Sequence, residues 1–403
     1  MKVLMLNTLY PPHVSGGAER SVQILTEALV AQHTKVVVVR TGSSASPVTN
    51  VINGVKVVSL PIANLYWPFD RVAHSPLQRK LWHVIDLYNP AMRSAVARLI
   101  HQERPTVVHT NNLQGLSVAA WRAARAARVP VLHTLRDYYL TCARCVRYRN
   151  GRICAQTCGE CLPFLLVRKR ASASVTGVVG NSRAIRDHHR ERGFFVNASV
   201  SSVIHNACLP APVAGSIRAA ALPLTFGYLG KLTPEKGIEL LLDTFDAQKD
   251  RGWELLVAGE GDESYCQELH RRYATLEERN PIRFLGWTDP SEFFPQIDVL
   301  VVPSLWQEPL PRVILEAYAY GVPVIGSRRG GILELIEDGE TGFLFDPRNP
   351  QTLGTLIDRL LRDRTLSGQL GQSALRRAQE YIPERIASEY QAAYRAVLAS
   401  TWA

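Results

Sequence analysis

The chain has 403 residues, 46% hydrophobic and 20% charged, ordinary values for a globular protein and enough length for two domains rather than one. No apolar run approaches the roughly 18 residues that span a bilayer, which excludes a helical membrane protein. The net charge of +10 is uneven: residues 1–221 carry 27 Lys and Arg against 9 Asp and Glu, and the remainder 19 against 27. A basic first half points to an anionic partner, and without a nucleic-acid motif a membrane surface or a lipid phosphate leads. A solvated basic surface is the plainer alternative.

In chain order, MKVLMLNTLYPP is too short in its apolar part for a signal peptide and reads as a strand, Val3–Asn7, ending in a turn. A cytosolic chain, peripheral at the inner membrane face, is expected. Gly16 and Gly17 precede a helical pattern from Ala18 to Gln32. Paired glycines let backbone approach a ligand closely, although a plain turn also explains them. Val36–Arg40 and Val55–Leu60 read as strands. Ala63–Asn89 then mixes Tyr66, Trp67, Phe69, Trp82 and Tyr88 with Arg71, His74, Arg79 and Lys80. That mixture suits a membrane interface or an acceptor site, or a loop packed by its own aromatics. Ala91–His101 reads as a helix, and Thr106–His109 and Pro130–Thr134 as strands. The alternation predicts a parallel, doubly wound α/β sheet.

After Arg136 and Asp137 come five of the seven cysteines: Cys142, Cys145, Cys154, Cys158 and Cys161. Clustered cysteines in a cytosolic enzyme favour metal over disulfide, so a structural zinc on four of the five is one expectation and free thiols the other. Val175–Gly180 and Val200–His205 complete the first set of strands, with Asn181 and Ser182 as a helix cap. The proline-rich residues 210–222 read as a linker. This divides the chain into domains 1–209 and 223–383, with a terminal helix in 384–403.

The second domain opens on the strand Leu224–Tyr228. Leu255–Ala258, Ile282–Leu285, Asp298–Val302 and Val324–Gly326 follow as strands. Between the last two lies Trp306–Gly326, WQEPLPRVILEAYAYGVPVIG. Pro311 suits the first helical position, Leu310 then falls at the cap, and Gly321 and Pro323 stop the helix. A helix start without a capping side chain is an anion site. Glu308 stands before it, and Glu316 lies one turn inside, four residues after Arg312. A phosphate flanked by polyols, as in a nucleotide-sugar, would fit. Glutamates placed only for the helix dipole would give the same spacing. Leu353–Arg362, Gln369–Glu380 and Ile386–Leu398 read as helices.

Glu308-x7-Glu316, with AYAYGVPVIGS, GGILELIEDGETGFLF and the terminal helix after it, resembles the retaining glycosyltransferases of family 4 over nearly the whole chain. The resemblance implies the GT-B fold, two Rossmann-like domains facing across a cleft, with the terminal helix crossing back to the first. It implies a nucleotide-diphosphate sugar, UDP- or GDP-linked, and a glycan or lipid-linked acceptor in bacterial surface polysaccharide or glycolipid synthesis. Catalysis would need no metal or other cofactor.

By the same resemblance, Gly16 and Gly17 face the donor pyrophosphate, and Gly230, Lys231 and Lys236 match the motif whose cations neutralise the diphosphate. Trp287 passes the nucleobase, Glu316 holds the ribose, and Glu308 holds the sugar together with the backbone of Leu310, Pro311, Arg312 and Val313. The chain departs from the family at three points. Lys231 stands where an Arg is usual, Arg136 where a His precedes Asp137, and Pro311 where a Gly is usual. A lysine loses the bidentate fork, an arginine cannot shuttle protons, and a proline donates no amide bond. An NAD-dependent oxidoreductase would need a dinucleotide glycine fingerprint that is missing. A GT-B epimerase would share the donor residues but release UDP without an acceptor. A non-enzymatic zinc-bearing scaffold would need only the cysteine cluster.

Overall fold

The computed structural model describes residues 1–14, 16–70, 72–211, 223–248, 252–279 and 282–401. Arg71 and positions 212–222 of the expected linker lie outside them. The chain forms two compact units. One comprises Met1–Arg147, Cys154–Ala207 and Pro383–Ala403, the other Tyr148–Ile153 and Cys208–Ile382.

The first unit begins β1 (Lys2–Leu6), α1 (Gly17–Ala31), β2 (Lys35–Gly42), β3 (Val48–Ile52), β4 (Val55–Pro61), α2 (Pro76–Leu87), α3 (Pro90–Glu103), β5 (Val107–Thr110), α4 (Ala119–Ala126) and β6 (Val131–Leu135). The short hairpin β7 (Tyr148–Arg149) and β8 (Arg152–Ile153), which clusters with the other unit, interrupts it. It resumes with α5 (Leu162–Ser172), β9 (Gly177–Gly180), α6 (Arg183–Arg190) and β10 (Val200–Val203). Its eight strands lie in the order β10-β9-β6-β5-β1-β2-β4-β3, parallel except for the edge pair β3–β4.

The second unit runs β11 (Leu224–Leu229), α7 (Ile238–Asp246), β12 (Trp253–Ala258), α8 (Glu263–Arg279), β13 (Ile282–Gly286), α9 (Pro290–Phe293), β14 (Val299–Val302), α10 (Arg312–Ala319), β15 (Val324–Ser327), α11 (Ile332–Leu335), β16 (Gly342–Phe345), α12 (Gln351–Arg362) and α13 (Thr365–Ala378). Its strand order is β13-β12-β11-β14-β15-β16, all parallel. The last helix, α14 (Pro383–Thr401), belongs to the first unit.

Alternation along each strand explains the layering, because side chains two apart share a face. Leu255, Val257, Val299 and Val301 enter one core of the second unit, while Leu256, Ala258, Leu300 and Val302 enter the core on the other side of the sheet. In the first unit, Tyr390, Tyr394 and Val397 of α14 join a core with Val3, Val107 and Leu132. The hydroxyls of Tyr394 and Thr134 each lie 2.7 Å from a ring nitrogen of the buried His109.

The aromatic-basic stretch differs from expectation. It contains a helix, α2, capped by Ser75, which accepts from Gln78 N, with Pro76 as its first residue. Trp67 and Trp82 turn inward, and Trp82 Nε1 donates to Tyr66 O over 2.9 Å. The exposed apolar side chains here are Leu65, Val72, Leu77, Leu81, Val84 and Tyr88.

Candidate active site

In the second unit, β11 has neighbours on both sides whose connections run in opposite directions, β12 and β14. Ligands in open parallel sheets bind beyond the carboxyl ends of the strands at such a switch point. The two loops that emerge there are Gly230–Gly237 after β11 and Pro303–Pro311 after β14, and they touch. Leu305 N donates to Glu235 O over 2.8 Å. Gly237 has φ +75°, and a Cβ there would lie 2.1 Å from Pro303 O, so only glycine permits the approach.

Glu308 is the centre of this contact. Its side chain is buried, and Oε1 accepts from Lys236 Nζ at 2.5 Å, Ser304 Oγ at 2.8 Å and Trp306 Nε1 at 2.8 Å. A buried carboxylate costs several kcal/mol unless it is paired and hydrogen-bonded, and these three donors meet that cost. Among the described residues no donor reaches Oε2, which leaves one carboxylate oxygen to accept from a ligand. Lys236 Nζ also lies 5.3 Å from the centre of the Trp306 ring. The backbone is held as firmly: Gly331 N donates to Glu308 O over 2.7 Å, and Gly330 N to Gln307 Oε1 over 2.7 Å.

The helix beyond it starts one residue later than expected. Pro311, at φ −74° and ψ 113°, is the cap and Arg312 the first helical residue; no side chain caps this end and no acid lies in its first turn. Proline is excluded from the interior, not from the cap, because the cap needs no N–H of its own. Arg312 pairs with Glu316 Oε1 at 2.6 Å, one turn apart. The helix stops in a Schellman motif, Val322 N to Ala317 O and Gly321 N to Tyr318 O, with Gly321 at φ +68°.

Lys231 is exposed beside Gly230, and its carbonyl accepts from Tyr228 Oη at 2.7 Å. Trp287 is 71% exposed on the loop after β13. That strand is two places from β11, so Trp287 stands apart from the Lys236–Glu308 contact. Ser304, Trp306, Gln307 and Gly330 are site residues that sequence reasoning missed. The available signal was the donor-bearing Ser304 and Trp306 at two-residue steps before Glu308.

Gly16, Gly17, Arg136 and Asp137 belong to the first unit. Gly16 is the cap of α1, and its N–H donates to Glu19 Oε2 over 3.0 Å, so a buried carboxylate already serves the helix start expected to face pyrophosphate. Arg136 follows β6 and is buried, with Nε to Asn111 Oδ1 at 2.8 Å and Nη1 to Asn206 Oδ1 at 2.5 Å. Asp137 accepts from Tyr139 N at 2.8 Å, and burial pushes its carboxyl up to about 6.

Behind it lies a buried set. Asp86 accepts from Tyr139 Oη and Gly115 N, each at 2.7 Å, and burial pushes it up to about 6 as well. The Arg168 guanidinium stacks 3.7 Å from the Tyr139 ring centre, donates to Tyr139 O and approaches Asp86 at 3.8 Å.

For the five clustered cysteines, zinc and free thiols are the two expectations. Among the described residues no group of three or more His, Cys, Asp or Glu side chains could hold a metal ion. Cys142 and Cys145 sit in the tight turn around Tyr138, whose N–H donates to Cys145 O, and the β7–β8 hairpin returns the chain so that the Cys161 thiol meets the Ala143 backbone and lies near Cys142. Without a metal, burial pushes the Cys161 thiol up to about 12 and the Cys145 thiol well up, while the hydrogen bond with Cys161 lowers Cys158. All seven cysteines are outside disulfides.

Residues 218–377 match the family model for glycosyl transferases group 1, and residues 16–207 that for the glycosyl transferase 4-like domain. An uncharacterized 42.6 kDa protein from the cps region of Klebsiella pneumoniae is 35% identical over 83% of this chain and 87% of its own length. The lipopolysaccharide core biosynthesis glycosyltransferase of Rhizobium meliloti is 30% identical over 36% of this chain and 41% of its own. Among solved structures, sucrose-phosphate synthase from Thermosynechococcus elongatus superposes with a TM-score of 0.78 at 21% identity, covering 99% of both chains. Anabaena HepE in complex with UDP-glucose superposes with a TM-score of 0.73 at 20% identity, covering 98% of this chain and all of its own. The fold shared with these structures is GT-B. Among the described residues no helix is long and apolar enough to cross a membrane.

Proposed function

The chain belongs to the group 1, family 4-like glycosyltransferases of GT-B fold, and from that premise we propose that it moves a hexose from a UDP- or GDP-sugar to a glycan or lipid-linked acceptor, with retention, in bacterial surface polysaccharide or glycolipid synthesis. The Klebsiella relative from a cps region and the Rhizobium lipopolysaccharide enzyme support that setting, and the UDP-glucose complex of HepE supports the donor class. The observation that carries the reading is the Lys236–Glu308 pair at the β11–β14 switch point.

In the proposed reaction the bond from the anomeric carbon to the diphosphate oxygen breaks, and the acceptor oxygen bonds to that carbon on the same face. The departing diphosphate takes the acceptor proton. Its growing charge is met by the ammonium groups of Lys231 and Lys236 and by the uncapped start of α10. Glu308 Oε2 accepts from a sugar hydroxyl, and Glu316 accepts from the ribose beside its bond to Arg312. The cations supply the charge stabilisation, so the reaction as proposed calls on no cofactor. Asp137, near neutrality in its titration, would serve the sugar side together with Arg136.

The basic first half would bring the enzyme to an anionic membrane surface where lipid-linked acceptors reside. A thermal-shift screen against UDP-, GDP- and ADP-sugars tests the donor. A cognate donor at ~100 times its dissociation constant should stabilise by roughly 2.7 kcal/mol. NMR of the product anomer tests retention, and an inverted product would overturn it.

A further inference from the structure

A pocket of about 520 Å³ lies in the first unit and shares no lining residue with those assigned above to the donor. It is formed by Arg93 of α3, Arg122 and Arg125 of α4, Val167 and Arg170 of α5, and Tyr88 at the end of α2. None of the four arginines makes an ion pair or a side-chain hydrogen bond with the described residues. Arg93, Arg125 and Arg170 are exposed and Arg122 is half-buried, so all four heads can turn to one ligand from solvent.

Four guanidinium groups around one cavity repel one another, and a bound polyanion would turn that repulsion into attraction. The guanidinium fork matches two oxygens of a phosphate group, and the Tyr88 hydroxyl adds a further donor. The pocket volume also falls in the range of small-ligand sites.

We propose that the pocket bounded by Arg93, Arg122, Arg125 and Arg170 is a phosphate-binding site, separate from the donor site, that takes a group with at least two negative charges. Phosphate of this kind can come free in solution or as the headgroup of a lipid. The proposal does not depend on the donor reading, since no residue is shared.

The test uses the whole chain with two probes: inorganic pyrophosphate by calorimetry, and vesicles of phosphatidylcholine with or without phosphatidic acid by co-sedimentation. Arg122→Gln/Arg170→Gln empties half of the cationic lining. Arg98→Gln/Arg128→Gln removes the same charge from exposed positions outside it. All four side chains lie at or near the surface, so both variants should fold, and melting curves check this.

The expected result is binding by the wild type that weakens with salt, a loss of about tenfold or more in the pocket variant, and near-wild-type binding in the control. Pyrophosphate binding without a preference for phosphatidic acid vesicles identifies the free ligand; the reverse identifies the headgroup. Binding of neither probe, or equal binding by the pocket and control variants, overturns the proposal. The second outcome would mean general surface charge or pyrophosphate at the donor lysines.

Discussion

Lys236 and Glu308 are each other's counter-ion, with Nζ 2.5 Å from Oε1 and the carboxylate held further by Ser304 and Trp306. The family resemblance implies the lysine for the diphosphate and the glutamate for the sugar, one on each side of the bond to be broken. If those roles hold, the two jobs lie side by side. It also means that neither side chain can be altered without disturbing the other.

A double-mutant cycle measures that coupling. Lys236→Met leaves a buried carboxylate with its cation gone, so it should lower stability more than Lys236→Met/Glu308→Gln does. A coupling energy of about 1–3 kcal/mol from denaturant melts is expected for such a pair. Additive effects would show that the pair is incidental.

The two glutamates should separate in steady-state kinetics. In the proposed reaction Glu308 faces the part of the donor whose geometry changes, so Glu308→Gln should lower kcat by about 10²-fold, equivalent to roughly 2.7 kcal/mol. In the same proposal Glu316 faces ribose, which does not react, so Glu316→Gln should mainly raise the donor KM. Unchanged constants in both variants would reduce the pair to helix-start residues.

Gly330 tests the backbone that holds Glu308. It has φ +52°, and a Cβ would stand 2.1 Å from Glu308 O. Gly330→Ala should therefore shift the glutamate, costing about 1–3 kcal/mol in stability and a larger fraction of kcat than the melt alone implies. Wild-type activity in this variant would show that the Glu308 loop tolerates displacement.

The first unit should be acid-labile. Burial lowers His133 to about 3, His188 to about 2 and His189 to about 4, and His109 well below its ordinary value. Such histidines stay neutral in the native state but take up a proton once unfolded. Their stabilisation is present above pH ~6.5 and is lost as pH falls. Asp86 and Asp137, raised to about 6, act in the opposite sense: their contribution is full below pH ~4 and gone above ~6. Four groups against two leave a net uptake of about two protons on unfolding near pH 5. The melting temperature should then fall between pH 7 and 5, and Asp86→Asn should steepen that fall. A flat profile would show that the histidines are protonated in the native state.

Much of the fold was legible in the sequence. Within the expected runs, Val36–Val39, Leu255–Ala258 and Val299–Val302 are strand because they are apolar on both faces, as a parallel sheet covered on two sides requires. The antiparallel edge strand β3 escaped notice because VTNVI is exposed from Val48 to Val51 and carries no clean alternation. Helix α2 hid among aromatics, since its apolar residues Leu77, Leu81 and Val84 face outward rather than to a core.

The sequence by itself determined the chemistry at each position: the spacing from Glu308 to Glu316, the Arg312–Glu316 turn of helix and the cations after β11. These are local facts, set by residue type and helical geometry. Only the tertiary structure decided which of them meet. The pairing of Lys236 with Glu308 spans 72 positions, and it exists because β11 and β14 are neighbours in the sheet. The four arginines of the pocket are likewise scattered from position 93 to 170, and helix packing alone brings them around one cavity. Strand order and helix packing follow from the burial of many apolar surfaces at once, which no local pattern records.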